Sequence, residues 1–281
     1  VSAARIEVDH VSFAYPVAGQ PDHLALNDVS LRILPGELVA IAGRNGSGKS
    51  TLARHLNGLL KPDSGTVTVD GVDTRNESVG RMAARIGYVF QNPDHQLFLP
   101  TVRKEIEWGP SRLGLAGTAL DNRVDDALER FALVEVAERH PASLGRGLRR
   151  LTALAAVMAM DPGALVLDEP TGGLDLRLTT TLMTILQSLA AEGHSIILIT
   201  HEMRLVAEYA ERLIVLSHGR IVADGQPGDL FEDHELMKSA SLAAPVAARI
   251  AQGLEPYGVP RGITTSDGVV AAVADLLARE R

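Results

Sequence analysis

The chain has 281 residues, 46% of them hydrophobic, which is enough to fill one large domain or one domain with an appendage. A formal net charge of −8 argues against a nucleic-acid-binding surface, which carries a basic stripe. Cysteine is absent, which excludes disulfides and thiol chemistry, and the longest uncharged stretch, Leu178–Ala191, is well short of the roughly 20 residues a membrane span needs.

Arg5–Tyr15 alternates apolar and polar residues, Ile6, Val8, Val11 and Phe13 among them, and Leu24–Ile33 does so more loosely. Two half-buried antiparallel strands are the simplest reading. Pro35-Gly36 turns the chain into Leu38–Ala42, a short apolar run suited to a buried parallel strand. A glycine-rich loop follows, and Lys49–Leu60 reads as a helix. Lys61-Pro62-Asp63-Ser64-Gly65 forms a second turn, leading to a strand over Thr66–Asp70. From about Thr101 to Met160 the pattern is helical, with Val102 and Ile106, then Val124, Leu128 and Phe131, at helical spacing. Beyond it strands and helices alternate as in a parallel sheet: strand Ala164–Leu167, helix Asp175–Ala191, strand Ser195–Thr200, helix Met203–Ala210, strand Leu213–Leu216. Near the end Pro245, Pro256 and Pro260 separate short apolar segments, and a final helix spans about Gly268–Arg281. The expected architecture is therefore α/β, with an N-terminal antiparallel β subdomain, a parallel core and a helical insert over about 92–162. Together these occupy 1–235, and a small C-terminal module, a candidate for dimerisation, occupies 236–281.

The loop Gly43-Arg44-Asn45-Gly46-Ser47-Gly48-Lys49-Ser50-Thr51 has the form G-x-x-x-x-G-K-[ST] and points to a nucleoside triphosphate with Mg²⁺. Gly43, Gly46 and Gly48 let the backbone curl with its N–H groups inward, and the following helix N-terminus adds partial positive charge. Lys49 would reach the β- and γ-phosphates, and the Ser50 hydroxyl would bind the Mg²⁺. The strand at Ala164–Leu167 runs into Asp168-Glu169, carboxylates at the strand end where open α/β sheets bind ligands. Asp168 would hold the metal shell, through water, and Glu169 would polarise the water that attacks the γ-phosphate. His201 ends a second buried run, Ile196–Thr200, and is expected to touch the γ-phosphate. Gln91 follows Tyr88-Val89-Phe90 in the same fashion, where a neutral amide would meet Mg²⁺ and water and couple the core to the insert.

In this order these elements resemble the nucleotide-binding domain of ATP-binding-cassette (ABC) proteins over about Arg5–Glu232. The resemblance implies a P-loop NTPase (RecA-like) fold and an ATP hydrolase. It places Tyr15 on the adenine, matches Gln91 to the Q-loop and Gly172-Gly173-Leu174-Asp175 to the D-loop, and makes His201 the switch histidine. More narrowly, Phe90–Phe98, Thr101-Val102 and Trp108-Gly109-Pro110 look like the ATPase subunits of energy-coupling-factor importers of vitamins and transition-metal ions. That likeness implies a transmembrane coupling protein, a separate substrate-binding membrane protein and a place on the cytoplasmic face of the cell membrane. Leu242–Leu277 is loosely similar to that family's dimerisation module.

The pattern breaks once. Where the family has L-S-G-G-Q, this chain has Leu144-Gly145-Arg146-Gly147-Leu148, so the serine hydroxyl is missing and a glycine is arginine. In the family Gly145, Arg146 and Gly147 would face the nucleotide of a second cassette. Arg146 either obstructs that approach or sets its guanidinium on the phosphate. A homodimer would carry the change at both sites, so a heterodimer or a tandem half with an intact signature is expected. Two other readings compete: a soluble ABC ATPase without transport, and a regulatory cassette with weakened catalysis. The chain begins with Val1 rather than Met, as a processed chain or a piece of a longer one would.

Overall fold

Short aliphatic runs at the centre of the chain become strands buried on both faces. The structure, a computed structural model, describes residues 4–19 and 21–279; Val1 and the expected helix end at Arg281 lie outside them. The elements run β1 (Ile6–Tyr15), β2 (His23–Ile33), β3 (Leu38–Ala42), α1 (Lys49–Leu56), β4 (Ser64–Val69), β5 (Val72–Asp73), α2 (Val79–Ala83) and β6 (Ile86–Val89). The insert holds α3 (Val102–Arg112), α4 (Thr118–Arg130) and α5 (Arg146–Met158). The chain then alternates through β7 (Ala164–Asp168), α6 (Leu176–Ala191), β8 (Ser195–Ile199), α7 (Met203–Tyr209), β9 (Arg212–Ser217) and β10 (Arg220–Gly225). It closes with α8 (Pro227–Glu232), α9 (His234–Ser239), α10 (Val246–Leu254) and α11 (Ser266–Arg279).

Two sheets form, ordered β2-β1-β4-β5 and β10-β9-β3-β8-β7-β6. The first is antiparallel. In the second, β9, β3, β8, β7 and β6 are parallel and β10 is an antiparallel edge. The period of two along each central strand sorts its side chains between layers. Val39, Ile41, Val166, Ile197 and Ile199 pack with Ile6, Val67 and Leu52, beneath the antiparallel sheet and α1. Leu165, Leu167, Ile196 and Leu198 pack with Ile106, Leu128, Leu154 and Leu186 of the helices opposite. Ala40, Ala42, Leu213 and Val215 complete a third cluster with Phe231, Met237 and Ala248. Residues on both sides of position 235 therefore share one core.

The expected antiparallel pair, insert and parallel core are all present, with differences at the ends. α1 stops at Leu56 rather than Leu60, because Gly58 takes a left-handed φ of +73° and Leu60 N–H turns back to Arg54 O at 2.9 Å. The strand expected from Thr66 begins at Ser64, which pairs with Ser12 of β1. β10 has no counterpart in the sequence reading. It folds back on β9 through His218-Gly219, both at positive φ, a two-residue turn with neither Asn nor Asp to announce it.

Gly87 in β6 lies under α5, where a Cβ would collide with the Val157 side chain. Gly87→Ala is expected to lower unfolding free energy by about 1–3 kcal/mol through overpacking. Urea denaturation measures this, and an unchanged midpoint would mean that α5 can retreat freely.

Candidate functional site

The sheet register determines what meets what. Ile41 and Asp168 both sit level with Ile199, and Val89 is level with Leu167. Thr200 N–H donates to Ile41 O at 3.2 Å and Glu169 N–H to Ile199 O at 2.9 Å, carrying the alignment one residue beyond the strands. Gly43, Gln91, Asp168, Glu169 and His201 consequently leave the same sheet edge, the carboxyl edge where ligands bind in α/β folds.

The loop at 43–48 requires its glycines. Gly43 has φ +151°, and a Cβ there would collide with Leu216 O; Gly48 has φ +106°, and a Cβ would stand 2.6 Å from Ala25 O. The β9–β10 turn clamps the loop from behind, with Gly219 N–H donating to Ser47 O at 3.0 Å. On that side Arg44 Nη2 lies 3.1 Å from His218 Nδ1. Ser47 Oγ is buried without a hydrogen-bond partner among the described residues. Lys49 is only 8% exposed, and its Nζ donates to Gly43 O at 2.8 Å and Arg44 O at 3.0 Å. Burial pulls its pKa below the usual lysine range, and the carboxylates of Glu169 and Asp168 oppose that shift.

A cleft of about 350 Å³ opens in front of the loop. Asn45, Gly46, Gly48, Lys49, Ser50 and Thr51 form one wall; Gln91, Asp168 and Glu169 form the other. Tyr15, at the end of β1, reaches the rim: its hydroxyl is 3.3 Å from Thr51 Oγ1, and its ring meets Phe13 edge-on at 4.9 Å. Glu169 holds a left-handed φ of +49°, costly for a residue with a Cβ, and its Oε1 lies 2.8 Å from His201 Nδ1. Strain at that position aims the carboxylate into the cleft, and the exposed His201 ring holds it there.

Gly145, Arg146 and Gly147 stand elsewhere. Gly145 caps α5 without a side-chain bond, and Gly147 is packed so that a Cβ would strike Leu178 of α6. The Arg146 side chain lies over Gly173 (φ +75°), in the loop between β7 and α6. Asp175 of that loop caps α6, accepting Leu178 N–H at 2.8 Å.

Two site residues escaped the sequence reading. The buried Tyr88 hydroxyl donates to Asp168 Oδ2 at 3.1 Å, and burial with the Asp168 charge raises its pKa, so it stays protonated. Arg150, on α5, donates to Phe90 O, Glu169 O and Gly172 O at 3.3–3.5 Å and so gathers the two loops that follow β6 and β7. A signal for Arg150 existed: with Gly147, Leu151 and Leu154 it occupies one buried stripe of the helix, where a cation needs a reason.

The ABC transporter family model matches residues 26–172. An energy-coupling factor transporter ATP-binding protein, EcfA, of Methanothermobacter thermautotrophicus is 40% identical over 255 residues, covering 90% of this chain and 81% of that protein. The structure of cbiO1 from Clostridium perfringens, part of the ABC transporter complex cbiONQ, superposes with a TM-score of 0.74 at 32% identity, covering 89% of this chain and 98% of that one. A dimeric ATP-binding cassette in a post-hydrolysis state with ADP and Pi gives a TM-score of 0.72 at 26% identity, covering 79% and 98%.

Tyr88→Phe would leave the buried Asp168 short of a donor. It is expected to cost about 1–3 kcal/mol, read as a lower urea midpoint together with weaker Mg²⁺-dependent nucleotide binding. If neither changes, the bond contributes nothing to holding Asp168.

Proposed function

The chain belongs to the ABC transporter family, and from that premise we propose that it is the ATP-binding and ATP-hydrolysing subunit of an energy-coupling-factor type importer of a micronutrient, a vitamin or a transition-metal ion. The observation that carries this reading is the convergence of Lys49, Ser50, Gln91, Asp168 and Glu169 on one cleft, with His201 bonded to Glu169. Lys49 and the loop N–H groups bind the β- and γ-phosphates, and Tyr15 with the Thr51 side of the rim receives the base. Ser50, Gln91 and Asp168 offer oxygen donors only, a set that suits Mg²⁺. Mg²⁺ held there would neutralise charge on the phosphate oxygens. Glu169, fixed by His201, orients and polarises the attacking water, and His201 faces the γ-phosphate.

Among the described residues no helix is long and apolar enough to cross a membrane, and a transmembrane coupling protein is the proposed anchor. Phe98 is 66% exposed, packs edge-on against Trp108 at 5.7 Å, and Arg112 lies 4.1 Å over the Trp108 ring. The buried carboxylate of Glu105 accepts the N–H groups of Phe98 and Leu99, so this apolar patch is presented on a fixed loop. An exposed rigid aromatic pair suits docking better than stability. A separate membrane protein would bind the micronutrient. Residues 236–281 form the appended module, where exposed Val246, Ile250 and Tyr257 suit contact with a second cassette.

Lys49→Ala is expected to abolish most Mg-ATP binding, whereas Glu169→Gln should keep binding and lose turnover, since only water activation is touched. A normal hydrolysis rate in Glu169→Gln would reassign the base. The altered signature points to an asymmetric pair whose partner supplies an intact one. Adding Gly145→Ser and Arg146→Gly should raise the slow rate of this chain alone, by about a hundred- to a thousand-fold if one preorganised donor is regained. A Cβ at 145 meets nothing within 4 Å, so the serine fits. A brisk rate in the unmodified chain, unaltered by the pair of substitutions, overturns the asymmetric assembly.

A further inference from the structure

Gln91 lines two clefts. The second, of about 320 Å³, lies between Gln91, Asp94, the start of α5 and the D-loop, and Arg146, Arg149 and Arg150 line it. Three guanidinium groups there face a single carboxylate, Asp94, which is taken by Arg149 at 2.5 Å. Arg146 and Arg150 have no carboxylate partner among the described residues. Arg150 is 2% exposed; its terminal nitrogens reach only backbone carbonyls, and its Nε, like that of Arg149, is a buried donor with no partner. A cation withdrawn from water without a counter-ion is strongly unfavourable. Burial and the neighbouring Arg146 charge both push the Arg150 pKa down, so the two cations repel across the cleft. α5 adds the partial positive charge of a thirteen-residue helix whose first turn carries no acid and no side-chain cap.

We propose that this cleft is an oxyanion subsite that binds free inorganic phosphate between Arg146, Arg149 and Arg150. The exposed Arg146 fork, without a side-chain bond partner among the described residues, can meet the oxygens of a phosphate bidentately, while Arg149 and the buried, carboxylate-free Arg150 add positive charge behind it. The site stands on its own residues and does not depend on the proposed hydrolysis. Its position gives it a consequence, because Arg150 also holds Phe90 O, Glu169 O and Gly172 O. A phosphate drawing on Arg150 would therefore be felt at the loops carrying Gln91 and Glu169. Arg146, which removes the ordinary signature, is the residue that builds this one.

The test uses the full chain, with sodium phosphate against sodium chloride at matched ionic strength. Calorimetric titration should count two phosphates on the unmodified chain, one in the Lys49 loop and one in the cleft. Lys49→Ala should keep the second, and Arg146→Gly should keep the first. Phosphate should raise the melting temperature of Lys49→Ala by about 2–3 °C at ten times the dissociation constant. Arg146→Glu brings its own carboxylate to Arg150, so it should lose the cleft phosphate yet melt higher than the unmodified chain in chloride. Loss of all phosphate binding in Lys49→Ala overturns the proposal, as does full retention in both Arg146 variants. A response that appears only with Mg-ATP and a second copy of the chain also overturns it, because the cleft would then serve the other cassette's nucleotide.

Discussion

The level pairing of β3, β8 and β7 is the constraint on which everything else rests. These strands are buried on both faces, so each can satisfy its backbone only through its neighbours, and the side-chain period of two permits no slip by one residue. With Ile41, Ile199 and Asp168 level, the phosphate loop, the acidic pair and His201 must emerge side by side. A shift of one residue would turn Asp168 from the cleft and reverse which of Leu165 and Val166 faces the helices.

At that edge Lys49, Tyr88 and Asp168 are withdrawn from water while His201 is exposed, and each polar group is held by a bonded partner. Tyr88 of β6 bonds Asp168, His201 bonds Glu169, and the loop carbonyls hold Lys49. Such bonds are stronger in a low-dielectric setting, and the cost of leaving any one unmade is correspondingly larger. The positive φ of Glu169 belongs to the same economy: an unfavourable backbone conformation persists because Ile199 on one side and Arg150 on the other hold that residue's N–H and carbonyl.

The helical insert is tied to this edge by polar contacts as well as by its core. Arg150 touches the loops after β6 and β7, Asp94 pairs with Arg149, and Gln96 accepts Phe90 N–H while donating to Ala153 O. A displacement of Gln91 or Glu169 must therefore be felt in α5 and along the loop that carries Phe98. That geometry gives the proposed docking patch and the proposed catalytic cleft a shared mechanical element, with α5 at its hub.

Much of this was legible in the sequence for local reasons. A phosphate loop is written in glycines because only glycine accepts the φ of Gly43 and Gly48 beside neighbouring carbonyls, and buried strands and helices betray themselves by periodicity. Residues 43–51, the Asp168-Glu169 strand end, His201, Gln91 and the alternation of the central strands and helices, though not β10, were therefore readable from the chain alone. What tertiary structure decided were relations across long sequence separations: Tyr88 with Asp168, Arg150 with the loops after β6 and β7, the core shared across position 235, and the direction of Arg146. The sequence left open whether Arg146 would obstruct a nucleotide or grip it. Within the folded chain it lies over Gly173 and lines a cleft beside Arg150. No local pattern could settle that, because a flexible side chain's direction depends on which distant backbone the fold brings beneath it.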